Sequence, residues 1–404
     1  MIRTAIFPLR ACALAAAAAV VLAAGCASLD VARQEIAPRP VDDRQCEAWF
    51  AALDAAVDAA GVRDAEATRI AGFPQLRVDR FLASFRETAK GDAGLAAWLG
   101  SMRELDRAAR AAELSNLPRA ALASLSVSLK TAALERIDAC GRQLSASDAA
   151  SPLRIAALHA EAQVPDDYVA WQRVLGLYPI TRVPFSAFVR SWHVEASAAF
   201  RAARSGANAA VAVQTYAPAQ PTPPREAIGQ VLRRAARDAL GVLRFTAAER
   251  AQLLAAYAPV REVETTGDHD RLGHPHFDAH AQPSVDSSRP VLFGRVAWTR
   301  YGERSLVQLV YTGWFRERPA EGPFDILAGA LDGIVWRATL APDGEPLVYD
   351  AIHPCGCYHM FFPTQRAEPR AAPDPDDEWA FVPASAGALA AGERIRIRIA
   401  ARTH

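Results

Sequence analysis

The sequence predicts an α+β protein: an N-terminal multi-helix domain, then a C-terminal antiparallel β-rich domain built as a sheet, sandwich or small barrel. Two observations carry that prediction. Apolar residues recur at helical spacing from about residue 42 to 257, and the period changes to two from about residue 290 onward. A length of 404 residues favours two domains over one. The 45 basic and 45 acidic side chains balance, which excludes a nucleic-acid binder driven by bulk charge. With 51% hydrophobic residues, disorder is excluded over most of the length.

Residues 1–25 read as an export signal. Arg3 and Arg10 supply a positive start, and Ala11 to Ala24 is an apolar stretch of 14 residues, too short for a spanning helix. It ends in Leu22-Ala23-Ala24-Gly25-Cys26. This resembles the bacterial lipobox, in which small residues precede a cysteine that is acylated (palmitate included) and becomes the new N-terminus. Ala23 stands where the usual box has leucine. The resemblance implies lipidation at Cys26, a tether over 26–41 and the membrane as a partner through that lipid. Ala27, where an aspartate would favour inner-membrane retention, points to the outer membrane facing the periplasm. The processed chain carries 43 basic against 45 acidic residues, so lipid rather than charge is the expected anchor. No nucleic acid is expected as a partner; an envelope protein or the cell wall is.

The helical domain is expected over 42–257. Trp49, Leu53 and Val57 fall on one helical face, with Asp42 or Asp43 as N-cap and Gly61 as stop. Further helices are expected near 77–89, 92–113, 118–140, 184–204, 225–240 and 246–257. Thr222-Pro223-Pro224-Arg225-Glu226 reads as a loop feeding a helix with proline in its first turn.

The β-rich domain is expected over 258–404. Val291–Tyr301 and Ser305–Arg316 flank Gly302-Glu303 and read as a hairpin. Leu331–Leu340 turns through Pro342-Asp343-Gly344 into Leu347–Ile352. Trp379–Val382 is a short strand. Ile395, Ile397 and Ile399 alternate with arginines, which predicts a strand with one wet face.

Six of the nine histidines lie in two short windows. The second window, His353-Pro354-Cys355-Gly356-Cys357-Tyr358-His359, places His, Cys, Cys and His at alternate positions. In a straight strand its ends would lie about 20 Å apart, too far to share one metal. A turn at Pro354 or Gly356 would bring them closer. His353, Cys355, Cys357 and His359 are therefore candidate ligands for zinc or copper. Cys357 with His359 is also a candidate nucleophile–base pair. The competing reading is oxidation: in an exported chain, Cys46, Cys140, Cys355 and Cys357 are disulfide candidates. Segregation by domain favours Cys46–Cys140 and Cys355–Cys357, the second a strained and labile ring. The first window, Gly267 to His280, offers His274, His276 and His280 as a weaker metal set. Tyr311, Trp314 and Arg318 are candidates to line a ligand cleft, and Arg337 and Asp350 to pair across the Pro342-Asp343-Gly344 hairpin beside it.

Three segments, Leu309–Phe315, Leu331–Arg337 and the His-Pro-Cys-Gly-Cys-Tyr-His-Met-Phe-Phe-Pro run at 353–363, resemble a family of uncharacterised proteobacterial envelope lipoproteins. No activity is attached to that family. The resemblance implies a location and a shared site, not a reaction. Three functions remain open: a lipid-anchored envelope protein with a metal-binding or redox His/Cys site, a structural or assembly lipoprotein with oxidised cysteines, and a cysteine-dependent envelope hydrolase.

Overall fold

A computed structural model describes residues 40–125, 130–165, 175, 178–204, 211–278, 280, 282–320, 322, 325, 328–371, 380–390 and 392–404. The signal, Cys26, nearly all of the tether and Trp379 lie outside these residues. The fold is α+β, with helices mostly N-terminal and a strand-rich C-terminal region. The chain divides into two compact units between Val164 and Pro165. The change from helices to strands expected at 258 falls inside the second unit.

In the first unit, α1 (Arg44–Ala60) buries Trp49, Phe50, Leu53 and Val57 and ends at Gly61 in the left-handed conformation, φ 66°. The helix expected over 77–89 does not form as such. Instead β1 (Thr68–Ile70) and β2 (Phe73–Val78) make an antiparallel ribbon, and α2 (Arg80–Ala83) is one turn capped by Asp79. The physical reason is burial on both faces. Gln75, Leu76, Arg77 and Val78 are all inaccessible, a demand that a strand covered on two sides meets and a surface helix does not. α3 (Gly91–Asn116), α4 (Arg119–Ser124), α5 (Lys130–Ala149) and α6 (Pro152–Glu161) follow. The single helix expected over 118–140 is thus two. A disulfide joins Cys46 on α1 to Cys140 on α5. Beneath it lies a charged network. Arg77 reaches Asp106 at 3.1 Å and Glu113 at 2.8 Å; Arg110 reaches Asp106 and Asp54, each at 2.9 Å.

The second unit contains α7 (Tyr178–Arg204), β3 (Val213–Tyr216), α8 (Arg225–Arg234), β4 (Ala236–Arg237), β5 (Leu243–Arg244), α9 (Ala247–Tyr257), β6 (Val260–Glu264), β7 (Leu272–Phe277), β8 (Pro283–Asp286), β9 (Phe293–Tyr301), β10 (Arg304–Arg318), β11 (Gly329–Leu340), β12 (Pro346–Ile352), β13 (Met360–Pro363) and β14 (Arg396–Ile399). The main sheet is antiparallel, in the order β13-β12-β11-β10-β7-β8, with β9 also on β10. The expected hairpins at Gly302-Glu303 and Pro342-Asp343-Gly344 both form. One face of this sheet carries Leu309, Tyr311, Phe315, Ile334, Trp336 and Tyr349 into the core. A second sheet, β14-β6-β3, pairs β14 parallel to β6. In it Ile397 and Ile399 are buried, while Arg396 and Arg398 reach Glu262 and Glu264 on the wet face. Phe381, in the expected strand 379–382, makes a single bridge to Met360. No helix among the described residues is long and apolar enough to cross a membrane.

Candidate functional site

The β11–β12 hairpin sets the site. Its register places Arg337 directly opposite Asp350, and the guanidinium Nε donates to Asp350 Oδ1 at 2.6 Å. The expected pair therefore exists. His359, returning on the next segment, joins it: its Nε2 lies 2.8 Å from Arg337 Nη2 and 3.1 Å from Asp350 Oδ1. A guanidinium only donates and a carboxylate only accepts, so this Nε2 stands between a donor and an acceptor. Asp350 is buried and balanced by this partner.

After β12 the chain reverses through His353-Pro354-Cys355-Gly356-Cys357. Gly356 N–H donates to His353 O at 2.9 Å, and His353 N–H donates to Cys357 O at 3.1 Å. Gly356 takes φ 86°, which a side chain would resist. The turn is the one needed to fold the alternate Cys positions together. Cys355 is exposed, Cys357 half-buried, and Cys357 N–H points at Cys355 Sγ from 3.4 Å. Both are free thiols. A hydrogen bond between the thiols, with some burial, pushes the Cys357 thiol up from its ordinary value.

His353 does not turn toward the thiols' partner histidine. Its Nδ1 lies 3.4 Å from Asp332 Oδ1. Asp332 Oδ2 lies 2.8 Å from His404 Nδ1, and His404 Nε2 lies 3.2 Å from Asp270 Oδ1. The His404 side chain is wholly buried and stacked on Phe315, with centroids 3.8 Å apart. Both of its ring nitrogens face carboxylate oxygens. Asp270 also accepts from the N–H groups of Thr266 at 2.7 Å and Arg402 at 2.6 Å. Burial alone would raise both carboxyls. The donors outweigh it: His353 and His404 hold Asp332 well below the usual range, and Thr266 and Arg402 lower Asp270.

The backbone marks the same region. The non-glycine residues with positive φ among those described are Leu331, Tyr358, Arg402 and His404. Each belongs to, or adjoins, one of these two networks. Such strain persists only where the surroundings over-determine it, and it gathers at functional sites. No family model matches the chain, and no curated protein or solved structure matches it either.

The other candidates divide. Arg318 sits 5.9 Å from the centroid of the Tyr358 ring, which also meets Trp192 and His353. Trp314 and Tyr311 do not share a cleft: three apart on a strand, they point to opposite faces. Tyr311 is core, and its hydroxyl donates to Leu254 O at 2.8 Å. His274 and His276, with Asp286 and Arg289, line a shallow surface depression. His280 is exposed, and its N–H donates to Asp278. Among the described residues no three or more His, Cys, Asp or Glu converge as a metal would require. The donor set for zinc or copper is split: His353 is committed to Asp332 and His359 to Arg337 and Asp350.

Sequence reasoning missed His404, and Asp332 only entered as part of a motif. The last residue of the sequence carried no motif or periodic pattern to single it out. Only the fold brings it 72 positions back to Asp332.

Proposed function

We propose that this is a lipid-anchored envelope protein whose β-rich unit presents Cys355 and Cys357 as a dithiol for disulfide exchange. The observation that carries the reading is the turn at Gly356, which holds one exposed and one half-buried thiol within hydrogen-bonding reach of each other. Cys355 is the attacking sulfur, because it is the exposed one of the pair and Cys357 stands half-buried beside it. Its thiolate attacks a substrate disulfide, a mixed disulfide forms, and one substrate thiolate leaves. That thiolate can re-attack elsewhere and release Cys355, which reshuffles the substrate with no net change of oxidation. Alternatively Cys357 loses its proton to solvent and displaces the substrate's second sulfur, which leaves a Cys355–Cys357 disulfide and a reduced substrate. A one-residue spacer makes that ring strained and readily reopened, so exchange is favoured over net reduction. The Cys46–Cys140 bond in the same chain fits an oxidising compartment.

Two features speak against a hydrolytic nucleophile at Cys357. Its thiol is pushed up rather than down, and the His359 Nε2 is held by Arg337 and Asp350. The test uses the full-length protein and a substrate protein with scrambled disulfides. Wild type should accelerate recovery of native pairing, Cys355→Ser should abolish it, and Cys357→Ser should accumulate the mixed disulfide. Equal rates for wild type and Cys355→Ser would reject the reading.

A further inference from the structure

The second unit holds a cleft of about 640 Å³ that none of the residues above explains. Its size is that of a small-molecule site. The cleft lies between the α8 N-terminus, the turn before β12, residues 386–389 and Gly392.

Three tyrosines cluster behind it. Tyr257 donates its hydroxyl to Gly344 O, and Tyr311 donates to Leu254 O. Tyr349, only 2% exposed and stacked on Trp336, lines the cleft, and its hydroxyl has no hydrogen-bond partner among the described residues. A hydroxyl with no protein partner that opens on a cleft is free to donate to a ligand there. Beside it stands Arg225. Its one polar partner among the described residues is Glu345, at 3.4 Å from Nη1, so most of its donors stay available there. Arg225 also opens α8, whose N-terminus carries no side-chain cap; the first N–H groups of such a helix favour an anion. Arg366, on the same rim, already donates from both terminal nitrogens to Asp343 at 2.9 Å, so it is the more committed of the two cations.

We infer that this cleft binds a small organic molecule carrying one oxyanion, held by the Tyr349 hydroxyl, Arg225 and the α8 N-terminus. The Glu226 and Glu345 carboxylates on the rim oppose a second negative group. Pro224, Pro346 and Leu389 offer apolar wall to the rest of the ligand. The inference is independent of the dithiol.

The test is calorimetric titration of the full-length protein with hexanoate, hexyl phosphate and, as control, hexylamine. Saturable binding of hexanoate alone assigns a carboxylate, of hexyl phosphate alone a phosphate, and of both an oxyanion of either kind. Tyr349→Phe and Arg225→Gln should each weaken that binding about ten-fold, the worth of one hydrogen bond to a charged group. Tyr349→Phe loses no bond within the protein, so its unfolding temperature should match wild type and its binding loss cannot be ascribed to misfolding. The inference is overturned if neither anion binds, if hexylamine binds as well, or if both variants bind like wild type.

Discussion

Each unit buries a polar network, and the two are built on opposite terms. In the first, guanidinium groups meet carboxylates at Arg77, Arg110, Asp106 and Glu113. In the second, imidazoles meet carboxylates at His353, Asp332, His404 and Asp270. Burial raises the carboxyl in both. In the first unit burial wins over Arg110 and Arg77, and Asp106 ends above its ordinary value. In the second the donors win, and Asp332 and Asp270 end below theirs. The two networks therefore respond to acid in opposite senses, and Asp106 is the more deeply enclosed carboxyl, 1% exposed against 9% for Asp332.

The largest effect should come from breaking the first network. Asp106→Ala leaves two buried guanidinium groups short of an anion and should cost about 3–5 kcal/mol, read from the urea midpoint. A loss under about 1 kcal/mol would mean that the network is replaceable by solvent.

The second network should respond to acid in the opposite sense from Asp106. A carboxyl lowered by folding contributes stability above its unfolded value, and that contribution is lost as pH falls through the folded value. Asp332 and Asp270 should thus weaken the second unit as pH drops below about 4. Asp106 is raised, so its contribution is present at low pH and lost as pH rises. His404→Ala should cost about 3 kcal/mol at neutral pH, because two buried carboxylates lose a donor. Asp332→Asn should flatten the acid limb in hydrogen exchange of β11 amides; an unchanged limb would assign acid sensitivity elsewhere.

Arg261 sharpens the comparison, being a buried cation with no ionic network among the described residues. It is 1% exposed, and its one bond is from Nη2 to Tyr311 O at 3.2 Å; Nε and Nη1 have no partner among the described residues. Burial pulls its guanidinium down to about 9. Arg261→Met should raise stability by about 1–2 kcal/mol. Because folding lowers this pKa, wild type should recover ground on the variant as pH rises above about 9. A variant less stable than wild type at pH 7 would show that the cation has an anionic partner.

How much of this was legible follows from what each feature depends on. The period-two pattern at Ile395, Ile397 and Ile399 and the Pro342-Asp343-Gly344 turn are local, so strand and hairpin could be read, and with them the Arg337–Asp350 pair. The parallel pairing of β14 with β6 could not, because it joins residues 136 apart and leaves no local trace. The ribbon at Phe73–Val78 lies inside the stretch from 42 to 257 whose overall pattern reads as helical, and it overlaps the helix expected over 77–89. What decided it was burial on both faces, which is tertiary. At the site, the His-Pro-Cys-Gly-Cys spacing correctly required a turn. The same spacing also suggested a shared metal, and there the carboxylates Asp332 and Asp350, supplied by other strands, claim the two histidines separately.

The smallest effect tests that turn. At Gly356 an added Cβ would meet nothing within 4 Å, so Gly356→Ala introduces no clash and acts only through φ 86°. Gly313 is the contrast: there a Cβ would come within 2.4 Å of Arg261 Nη1. The cost at Gly356 should be about 1 kcal/mol in stability, that of holding an alanine in the left-handed region. The consequence for chemistry is larger than for folding. If the strain is relieved by opening the turn, Cys357 loses the hydrogen bond that raises its thiol, and its thiolate should appear at lower pH by ultraviolet absorbance. A thiolate titration identical to wild type would show that the two thiols meet without the left-handed turn at Gly356.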